Sequence, residues 1–365
     1  MPGPIPRQFI LETGDILLSR SGTIGRSFLV PGDVAGLTFA GFLVRFRPRA
    51  DQDARYLSYA LQSEHAQAQV QADAIVSTIQ NFNAERYANL ALWVPPLADQ
   101  RRIADFLDDQ VAVLDRAQEL RDQQRSLILE RDVTVSRVAT TVGLLDGPRM
   151  PTGIKWMPEI AADWKMFKIG RAFRTGSGTT PKADNPAYFG GTYPWINTGD
   201  LRDGKVDAPN RFVTEVALAD YSSLKFYEPG TLLVAMYGAT IGRLGRLGIR
   251  ACLNQACCAI YKPTEVSLDY AYYWFLGHRN DIVKMGTGGG QPNISQEVIT
   301  ALRIPSPSTG IQVEIVKMLE GEHQNAENLL ELLARQTDLY LERKQALITA
   351  AVTGQIDVAT ARIVA

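Results

Sequence analysis

The sequence predicts an α+β protein in which one unit occurs twice and two long antiparallel coiled-coil helices join the two copies. The first observation is that GDILLSRSGTIGR at residues 14–26 is echoed by GTLLVAMYGATIGR at residues 230–243. The second is that residues 98–142 contain neither proline nor glycine, which is typical of one long helix. A sequence echo over a large separation indicates a duplicated structural unit.

The echo continues beyond the first motif. FRP, which ends at Pro48, matches YKP, which ends at Pro263. YLSYAL at residues 56–61 lines up with AYYWFL at 271–276, and QNFNAERYANLALWVPP, ending at Pro96, matches PNISQEVITALRIPSP. These matches divide the chain into a partial first globular domain, a first long helix with linker, a second globular domain, and a second long helix with tail: 1–96, 97–150, 151–309 and 310–365.

Short apolar runs bounded by glycine predict the strands of each copy. DILLSR and TLLVAM precede Gly-rich turns, and ACCAIYK predicts a further buried strand. The three cysteines, Cys252, Cys257 and Cys258, lie close together without CxxC spacing. We therefore expect reduced strand residues rather than a metal site or a disulfide framework.

Apolar residues at alternating spacings of four and three predict a helix pair. These apolar positions form one narrow stripe along each helix, which we call the seam. A stripe this narrow is typical of a helix that packs against another helix, and the other copy supplies that partner. The alternative, two separate amphipathic helices packed on their own domains, accounts less well for more than 40 residues without a break. The predicted coiled-coil positions are Ile103, Leu107, Leu114, Ile128, Val135, Ile315, Leu319, Leu329, Leu333, Tyr340 and Leu347.

Composition and motifs exclude several functional classes. The net charge is −1, and no apolar run is long enough to span a membrane, so we expect a cytoplasmic protein without a membrane partner. DNPAYF at residues 184–189 has alanine where the amino-methyltransferase loop has its second proline. GTGGGQPN at 286–293 lacks the Lys-Ser/Thr of a phosphate-binding loop, and the three histidines lie in unrelated contexts. No catalytic or metal-ligating set emerges.

What remains is a surface for recognition, whose basic residues suit contact with the phosphates and base edges of a nucleic-acid duplex. Residues 152–309 contain 17 basic and 13 acidic residues, with tyrosines between the basic positions. Arginine and lysine contact phosphates and base edges. The alternative for each residue is a solvated surface charge or, for the aromatic residues, a core position. The candidates are Arg174, Lys182, Tyr188, Arg202, Lys205, Arg211, Tyr237 and Arg243, with Arg20 and Arg26 in the first copy.

Several motifs in order resemble one family, the specificity subunit of type I restriction–modification systems. These are GDILLSRSGTIGR, YPWINTGDL at 193–201, LNQACCAI at 253–260, PPLADQRRIADFLD at 95–108 and LITAAVTGQIDV at 347–358. The resemblance covers essentially the whole chain.

The resemblance implies two target-recognition domains, each of which reads one half of a bipartite DNA sequence. It also implies that the long helices form an antiparallel spacer and dock two methyltransferase subunits, and that the chain itself has no catalytic activity. Endonuclease/translocase subunits join through the complex. S-adenosylmethionine, ATP and Mg²⁺ are then cofactors of the partner subunits, with none in this chain.

The first copy departs from this pattern because it lacks a counterpart of the region around residues 176–201. In the second copy 78 residues, 152–229, precede Gly230, whereas 13 precede Gly14. We therefore expect a truncated first recognition domain with exposed strand edges. A decayed remnant that binds its methyltransferase without specific DNA recognition is the main rival hypothesis. A methyltransferase lacking its cofactor loop and a plain coiled-coil adaptor are the others.

Overall fold

A computed structural model of the chain describes residues 6, 9–34, 36–75, 82–286, 293–360 and 362–363. The chain divides into two compact units, which we call the first unit (residues 1–125 and 331–365) and the second unit (residues 126–330). Both boundaries fall inside long helices, so each of these helices contributes to both units. The predicted division at 96, 150 and 309 stays a prediction.

The first unit is a small antiparallel sheet covered by helices. Its sheet has the order β2-β1-β3. Asp53 caps the helix that follows β3, because its carboxylate accepts hydrogen bonds from the N–H groups of Arg55 and Tyr56. The elements are β1 (Ile16–Ser19), β2 (Ser27–Leu29), β3 (Leu43–Phe46), α1 (Ala54–Gln62), α2 (Glu64–Ile75), α3 (Ala84–Ala88) and the long helix α4 (Leu97–Ala139).

The second unit contains a larger mixed sheet of order β7-β14-β11-β12-β9, a three-stranded sheet β10-β8-β13, and the pairs β15-β6 and β4-β5. The elements are β4 (Arg149–Ile154), β5 (Met157–Ala161), β6 (Lys165–Lys168), α5 (Ile169–Ala172), β7 (Arg174–Ser177), β8 (Phe189–Ile196), β9 (Gly204–Val206), β10 (Phe212–Val213), α6 (Glu215–Asp220), β11 (Leu232–Ala235), β12 (Leu244–Leu247), β13 (Cys252–Leu253), β14 (Cys257–Tyr261), α7 (Leu268–Val283), α8 (Gln296–Ala301), β15 (Arg303–Ser306) and the second long helix α9 (Thr309–Val352). A short pair, β16 (Ile356–Asp357) and β17 (Arg362–Ile363), follows α9.

The duplication predicted from the sequence is present in the sheets. β1, β2 and β3 correspond to β11, β12 and β14, because each central strand pairs antiparallel with both neighbours. Gly14 and Gly230, which precede the central strands, both have φ of +87°, a conformation that favours glycine. The repeated glycines therefore mark one turn in both units.

The structural equivalence differs by one residue from the sequence alignment over the third strand and the next helix. Phe46 pairs with Ile16, and Ile260 pairs with Leu232. Phe46 is thus the counterpart of Ile260, not of Tyr261. Tyr56, rather than aligning with Ala271, is equivalent to Tyr270, since both are the third residue of a capped helix. Strand pairing and helix capping define which residues are equivalent in the two units. The alignment based on aromatic similarity was displaced by one residue toward the C-terminus of the second copy.

A buried glutamine ties each globular part to the start of a long helix. In the second unit, the Gln312 side-chain carbonyl accepts from Ser267 N–H at 2.9 Å, and its amide donates to Pro307 O at 3.1 Å. In the first unit, Gln100 makes the equivalent bonds to Asp53 N–H at 2.9 Å and Pro95 O at 2.7 Å. The two clamps satisfy buried backbone groups at these helix starts.

A tyrosine in each unit reaches the other long helix near its C-terminal end. Tyr270 OH donates to Thr140 O at 2.9 Å, just after α4 ends. Tyr56 OH donates to Trp93 O at 2.6 Å and also lies 3.3 Å from the carbonyl oxygen of Val352, the last residue of α9. Each unit therefore joins the beginning of one long helix to the end of the other.

The two long helices pack antiparallel within each unit, as predicted. In the first unit Lys344 pairs with Asp115 at 2.7 Å, and Ile348 lies in one core cluster with Leu107. In the second unit, His323 Nδ1 lies 2.9 Å from Asp132. This hydrogen bond to Asp132 raises the pKa of the His323 imidazole above its ordinary value.

Burial along the helices supports most of the predicted seam but not all of it. Ile103, Leu107 and Leu114 are buried, as are Ile315 and Leu319. Leu329 was wrongly placed in the seam: its side chain is 48% exposed, and the adjacent Leu330 is half-buried instead. A strict heptad drifts relative to the 3.6-residue turn of an α-helix, which moves the seam by one position over several turns. Ile128, Val135, Leu333, Tyr340 and Leu347 are half-buried.

Hydrophobic cores hold the second unit together around α7. Ten of its sixteen residues are buried, so this helix is covered on all sides. Gly277 permits a close approach between helices, because a Cβ there would lie 2.4 Å from Arg137 N on α4. The three cysteines occupy β13 and β14, are buried and are free, which confirms the strand assignment.

In the described part of the chain, no helix combines the length and the apolar character needed to cross a membrane.

Gln312→Ala is expected to lower the free energy of unfolding of the second unit by about 2 kcal/mol, because Ser267 N–H loses its buried acceptor and Pro307 O loses one of its two donors. Four of the five tryptophans lie in the second unit, so urea unfolding followed by tryptophan fluorescence reports on it. Gln324→Ala, at an exposed position of the same helix within the second unit, is the control and is expected to change stability by less than about 0.5 kcal/mol. Equal losses in both variants would contradict the clamp.

Candidate nucleic-acid interface

The predicted recognition residues of the second unit fall into several groups in the structure. Each group is organised by different backbone and side-chain contacts. All the basic members, Arg174, Lys182, Arg202, Lys205, Arg211 and Arg243, have exposed side chains.

The first group is a basic groove of about 620 Å³ beside β7. Arg174 lines it together with Lys168 and Arg171. The helical turn α5 places Arg171 at the groove because Ile169 and Ala172 of the same turn are buried. Three cations around one groove, with no acidic residue in its lining, form a site suited to phosphate groups.

The second group is held by Asp203, a residue in the left-handed region with φ of +62°. Asp203 N–H donates to Leu244 O at 2.9 Å, and its carboxylate accepts from Leu244 N–H at 2.8 Å. Arg202 and Arg243 each precede one of these two residues. The structure therefore brings Arg202 and Arg243 together through a backbone connection that their sequence separation conceals.

Asp203 is fixed in turn by residues of α7. Its carboxylate accepts two hydrogen bonds from the Arg279 guanidinium, one of them at 2.9 Å. Tyr272 OH donates to Asp203 O. Lys205, two residues along, forms an exposed ion pair with Asp207 at 3.1 Å. The Asp203–Arg279 pair therefore anchors this basic surface loop on the buried helix α7.

The third group lies around Tyr221. Lys182 N–H donates to the Tyr221 hydroxyl at 3.1 Å. The Tyr188 ring packs edge-on against Tyr221, with ring centroids 5.3 Å apart, and Tyr188 OH donates to Asp220 at 3.0 Å. This hydrogen bond to Asp220 raises the pKa of Tyr188. Tyr188 is thus engaged in local packing, while Lys182 extends from the same loop into solvent.

Arg211 and Tyr237 have separate positions. Arg211 lies just before β10, and its carbonyl accepts from Trp195 N–H at 3.0 Å. Tyr237 follows β11, is 38% exposed, and forms an isolated bridge with Asn293. Most of the glycine-rich segment between 286 and 293 lies outside the described residues.

The first unit presents a basic residue at the same place as the second. Arg26 and Arg243 are both exposed, and each lies immediately before a strand, β2 and β12 respectively. Ser19 N–H donates to Arg26 O at 2.9 Å, and Ala235 N–H donates to Arg243 O at 2.8 Å. Arg20 is half-buried, and its guanidinium donates to Gly41 O at 3.4 Å. Arg26 is therefore the structural counterpart of Arg243.

Other aromatic and basic residues of the second unit have structural roles. Trp195 is 3% exposed and its indole N–H donates to Thr179 O at 3.1 Å, so it is a core residue. Arg246 lies over the Tyr272 ring, with its guanidinium carbon 4.0 Å from the ring centroid. Arg246 also approaches Asp269 and Glu320, and so it is a packing residue.

Sequence reasoning missed Asp203, Arg279 and Lys168. Asp203 stands in the turn LRDG, whose aspartate–glycine pair signals a tight turn and a residue that tolerates positive φ. No local signal identifies Arg279 as its partner, because the two lie far apart in the sequence. Lys168 has no local signal either, since only the fold brings it to the groove with Arg174.

Buried titratable groups are not available to solvent. Burial raises the pKa of the Cys252 thiol to about 11 and that of Cys258 to about 12, and it lowers the pKa of His278 to about 3. Among the described residues, no three His, Cys, Asp or Glu side chains are grouped to hold a metal ion.

Comparison with known proteins identifies one family. The family model described as the type I restriction modification DNA specificity domain matches residues 7–123 and 161–330. The specificity subunit of the type I restriction enzyme EcoR124I/EcoR124II from Escherichia coli is 25% identical over 183 residues, which cover 48% of this chain and 45% of that protein. The match thus spans less than half the length of that relative. The putative MjaX specificity subunit from Methanocaldococcus jannaschii is 20% identical over 364 residues, 97% of this chain and 81% of that protein.

A solved structure shows the same fold. A chain from work on complex assembly and conformational transition of the type I R-M system superposes with a TM-score of 0.73 at 16% identity. The superposition covers 94% of this chain and 82% of that one.

Asp203→Asn is expected to destabilise the second unit by about 1–3 kcal/mol, because it leaves the largely buried Arg279 guanidinium without its carboxylate partner. Asp207→Asn removes an exposed carboxylate of the neighbouring ion pair and is the matched control, expected to cost less than about 0.5 kcal/mol. Urea unfolding followed by tryptophan fluorescence compares the two. A loss in Asp207→Asn as large as that in Asp203→Asn would refute the anchoring role.

Proposed function

The chain belongs to the type I restriction modification DNA specificity family, and on this premise we propose that it is the DNA-recognition subunit of a restriction–modification complex. In this proposal the chain reads double-stranded DNA and directs methyltransferase subunits to it. It contributes no catalytic residue. The observation that carries the proposal is the duplicated unit. In each copy an exposed arginine, Arg26 or Arg243, immediately precedes the equivalent strand.

DNA recognition by the second unit is supported by the three exposed basic groups. The groove with Lys168, Arg171 and Arg174 offers phosphate contacts. Arg202 and Arg243 lie on a loop that the Asp203–Arg279 pair holds in place, and a pre-positioned side chain binds with less loss of conformational entropy. We assign base contact to these two arginines and phosphate contact to the groove.

A bipartite target follows from the duplication. Two copies of one recognition unit need two half-sites, as in other proteins whose internal symmetry matches that of their DNA site. Each long helix contributes to both units, so we propose that the helices fix the gap between the half-sites.

The long helices are also the proposed docking platform for two methyltransferase subunits. Several large apolar side chains on these helices are exposed to solvent and are available to a partner: Val113, Leu120, Leu127, Leu129, Leu332, Leu339 and Leu341. In the same proposal, endonuclease/translocase subunits join through this complex. S-adenosylmethionine, ATP and Mg²⁺ are bound by the partner subunits, and the complex works in the cytoplasm.

Arg243→Ala is expected to weaken binding of the cognate DNA by about tenfold to a hundredfold, because a lost base contact is worth about 1–3 kcal/mol. The measurement is fluorescence anisotropy with the chain in complex with its methyltransferase, using cognate and scrambled duplexes at fixed salt. Arg174→Ala is expected to weaken binding to both duplexes equally and to reduce the salt dependence.

Lys155→Ala is the control, because Lys155 is exposed in the second unit but lies outside the three groups. It should leave both affinities unchanged. If Arg243→Ala weakened the cognate and scrambled duplexes to the same degree, the assignment of a base contact would be wrong.

A further inference from the structure

The two long helices correspond residue by residue. Gln100 and Gln312 make the same hydrogen bonds at the starts of α4 and α9. At the ends of the helices, the carbonyl oxygens of Thr140 and Val352 lie 2.9 Å and 3.3 Å from a tyrosine hydroxyl. The numbers 312 and 100 differ by 212, as do 352 and 140. Each position on one helix therefore has a counterpart on the other, 212 residues away.

In the first unit, the contact between the helices is an ion pair of two permanent charges. Lys344 of α9 pairs with Asp115 of α4 at 2.7 Å. Val111, one turn before Asp115, is buried. Lysine and aspartate side chains are both charged throughout the neutral pH range, so this contact needs no change of protonation.

The counterparts of these three residues in the second unit have different charges. Asp132 stands at the position of Lys344, Glu327 at that of Asp115, and His323 at that of Val111. The lysine is thus replaced by a carboxylate, and His323 lies between the two acidic residues. Its Nδ1 is 2.9 Å from the Asp132 carboxylate, and its Nε2 is 3.6 Å from the Glu327 carboxylate.

Only the protonated imidazole can serve both carboxylates. A neutral imidazole has one N–H group, whereas the cation donates from both ring nitrogens. Without the proton, Asp132 and Glu327 face the ring with no positive charge between them. The side chains of His323 and Asp132 are only 22% and 12% exposed, so solvent screens this contact less than a surface ion pair.

We propose that a proton on His323 holds α4 and α9 together in the second unit, so that this contact weakens as the pH rises from slightly acidic to slightly alkaline values. In the acidic range the imidazolium bridges Asp132 and Glu327. In the alkaline range one neutral hydrogen bond to Asp132 is left. The first unit keeps its lysine pair at both pH values, so the two ends of the helix pair respond differently to pH.

The groups around His323 favour the proton. The charged and titratable ones are Glu320, Glu322 and Glu327 on α9, Arg131 and Asp132 on α4, Asp269 and Tyr273 on α7, and Arg246 on β12. Arg131 and Glu322 pair with each other at 2.7 Å. The hydrogen bond to Asp132 raises the pKa of the imidazole, burial and the charge of Arg246 lower it, and the resulting pKa lies above its ordinary value.

A raised pKa in the folded state fixes the direction of the pH dependence. The folded chain binds this proton more tightly than the unfolded chain does. The stabilisation is therefore complete below about pH 6.5, the ordinary pKa of histidine, and is lost as the pH rises through the raised value.

Urea unfolding of the full chain at about pH 6 and about pH 8.5 tests the proposal, with far-ultraviolet circular dichroism as the signal for the helices of both units. Asp132→Asn is expected to lower the urea midpoint by about 0.2–0.5 M more at the lower pH, because only there does it remove the partner of a cation. Asp115→Asn is the matched control: it breaks the lysine pair of the first unit and should cost the same at both pH values. In a His323→Gln background, which keeps a donor but takes no proton, Asp132→Asn should also cost the same at both.

A nuclear magnetic resonance titration of the histidine rings measures the proton directly. The chain has three histidines, and the signal that His323→Gln removes belongs to His323. The pKa of His278 is about 3, so that ring does not titrate between pH 6 and pH 8.5. The pKa of His323 is expected to lie above the ordinary value in the native chain and to fall in Asp132→Asn, which a purely structural role of the ring would not produce.

Three results would overturn the proposal. One is an equal cost of Asp132→Asn at both pH values. Another is a pKa of His323 at or below about 6.5 in the native chain, or one that Asp132→Asn leaves unchanged. The last is a pH dependence of the same size in Asp115→Asn, which would show that the effect does not come from His323.

Discussion

The packing of two long helices against each other is the interaction on which both units depend. In the first unit the beginning of α4 and the end of α9 lie in one core cluster, which includes Leu107 and Ile348. In the second unit the end of α4 and the beginning of α9 lie in one core cluster, which includes Ala139 and Ile315. An amphipathic helix of more than 40 residues cannot bury its apolar stripe on one small domain. Each unit is therefore built from both helices, and neither core is complete without residues from distant parts of the chain.

The same constraint explains why the contacts at the helix ends are repeated in both units. Gln100 and Gln312 hold the starts of the helices, and Tyr56 and Tyr270 hold their ends. These side chains bond to backbone groups that helix geometry leaves without an internal partner. Because the clamps lie in buried surroundings, they fix where each globular part meets the helix pair.

Much of the fold could be predicted from the sequence because its signals are local. Repeated glycine turns and short apolar strands identified the repeated unit. A long stretch without proline or glycine identified the first long helix, and the spacing of apolar residues identified the second. The seam was predicted only in part: Leu329 is exposed because a small drift in helical phase accumulates along a helix.

The candidate site was less accessible to sequence reasoning. Arg246 has the positive charge expected of a recognition residue, but its guanidinium stacks on the Tyr272 ring. The basic loop is anchored by the ion pair between Asp203 and Arg279, which lie far apart in the sequence. Pairings over such separations depend on how strands and helices pack, which no local pattern encodes. Exposure of Arg174, Arg202 and Arg243 agrees with the sequence prediction, whereas contact with DNA stays a prediction.

The two units differ mainly in what surrounds their shared three strands. In the second unit β7 and β9 flank them, and residues 165–177 cover the apolar surface. In the described part of the first unit, the counterparts of these flanking strands are missing, and Phe46 is exposed as a result. The expectation of exposed strand edges is therefore confirmed at β3. Since backbone groups at a strand edge favour pairing, the first unit presents a surface that the second unit keeps internal.

The most direct test of the account is to map methylated bases in DNA exposed to the purified complex of this chain with its methyltransferase. The account predicts one motif of two specified parts with a fixed gap, because each unit reads one part and the helices set the distance. Methylation without any sequence motif, or a single contiguous motif, by an intact complex would contradict it.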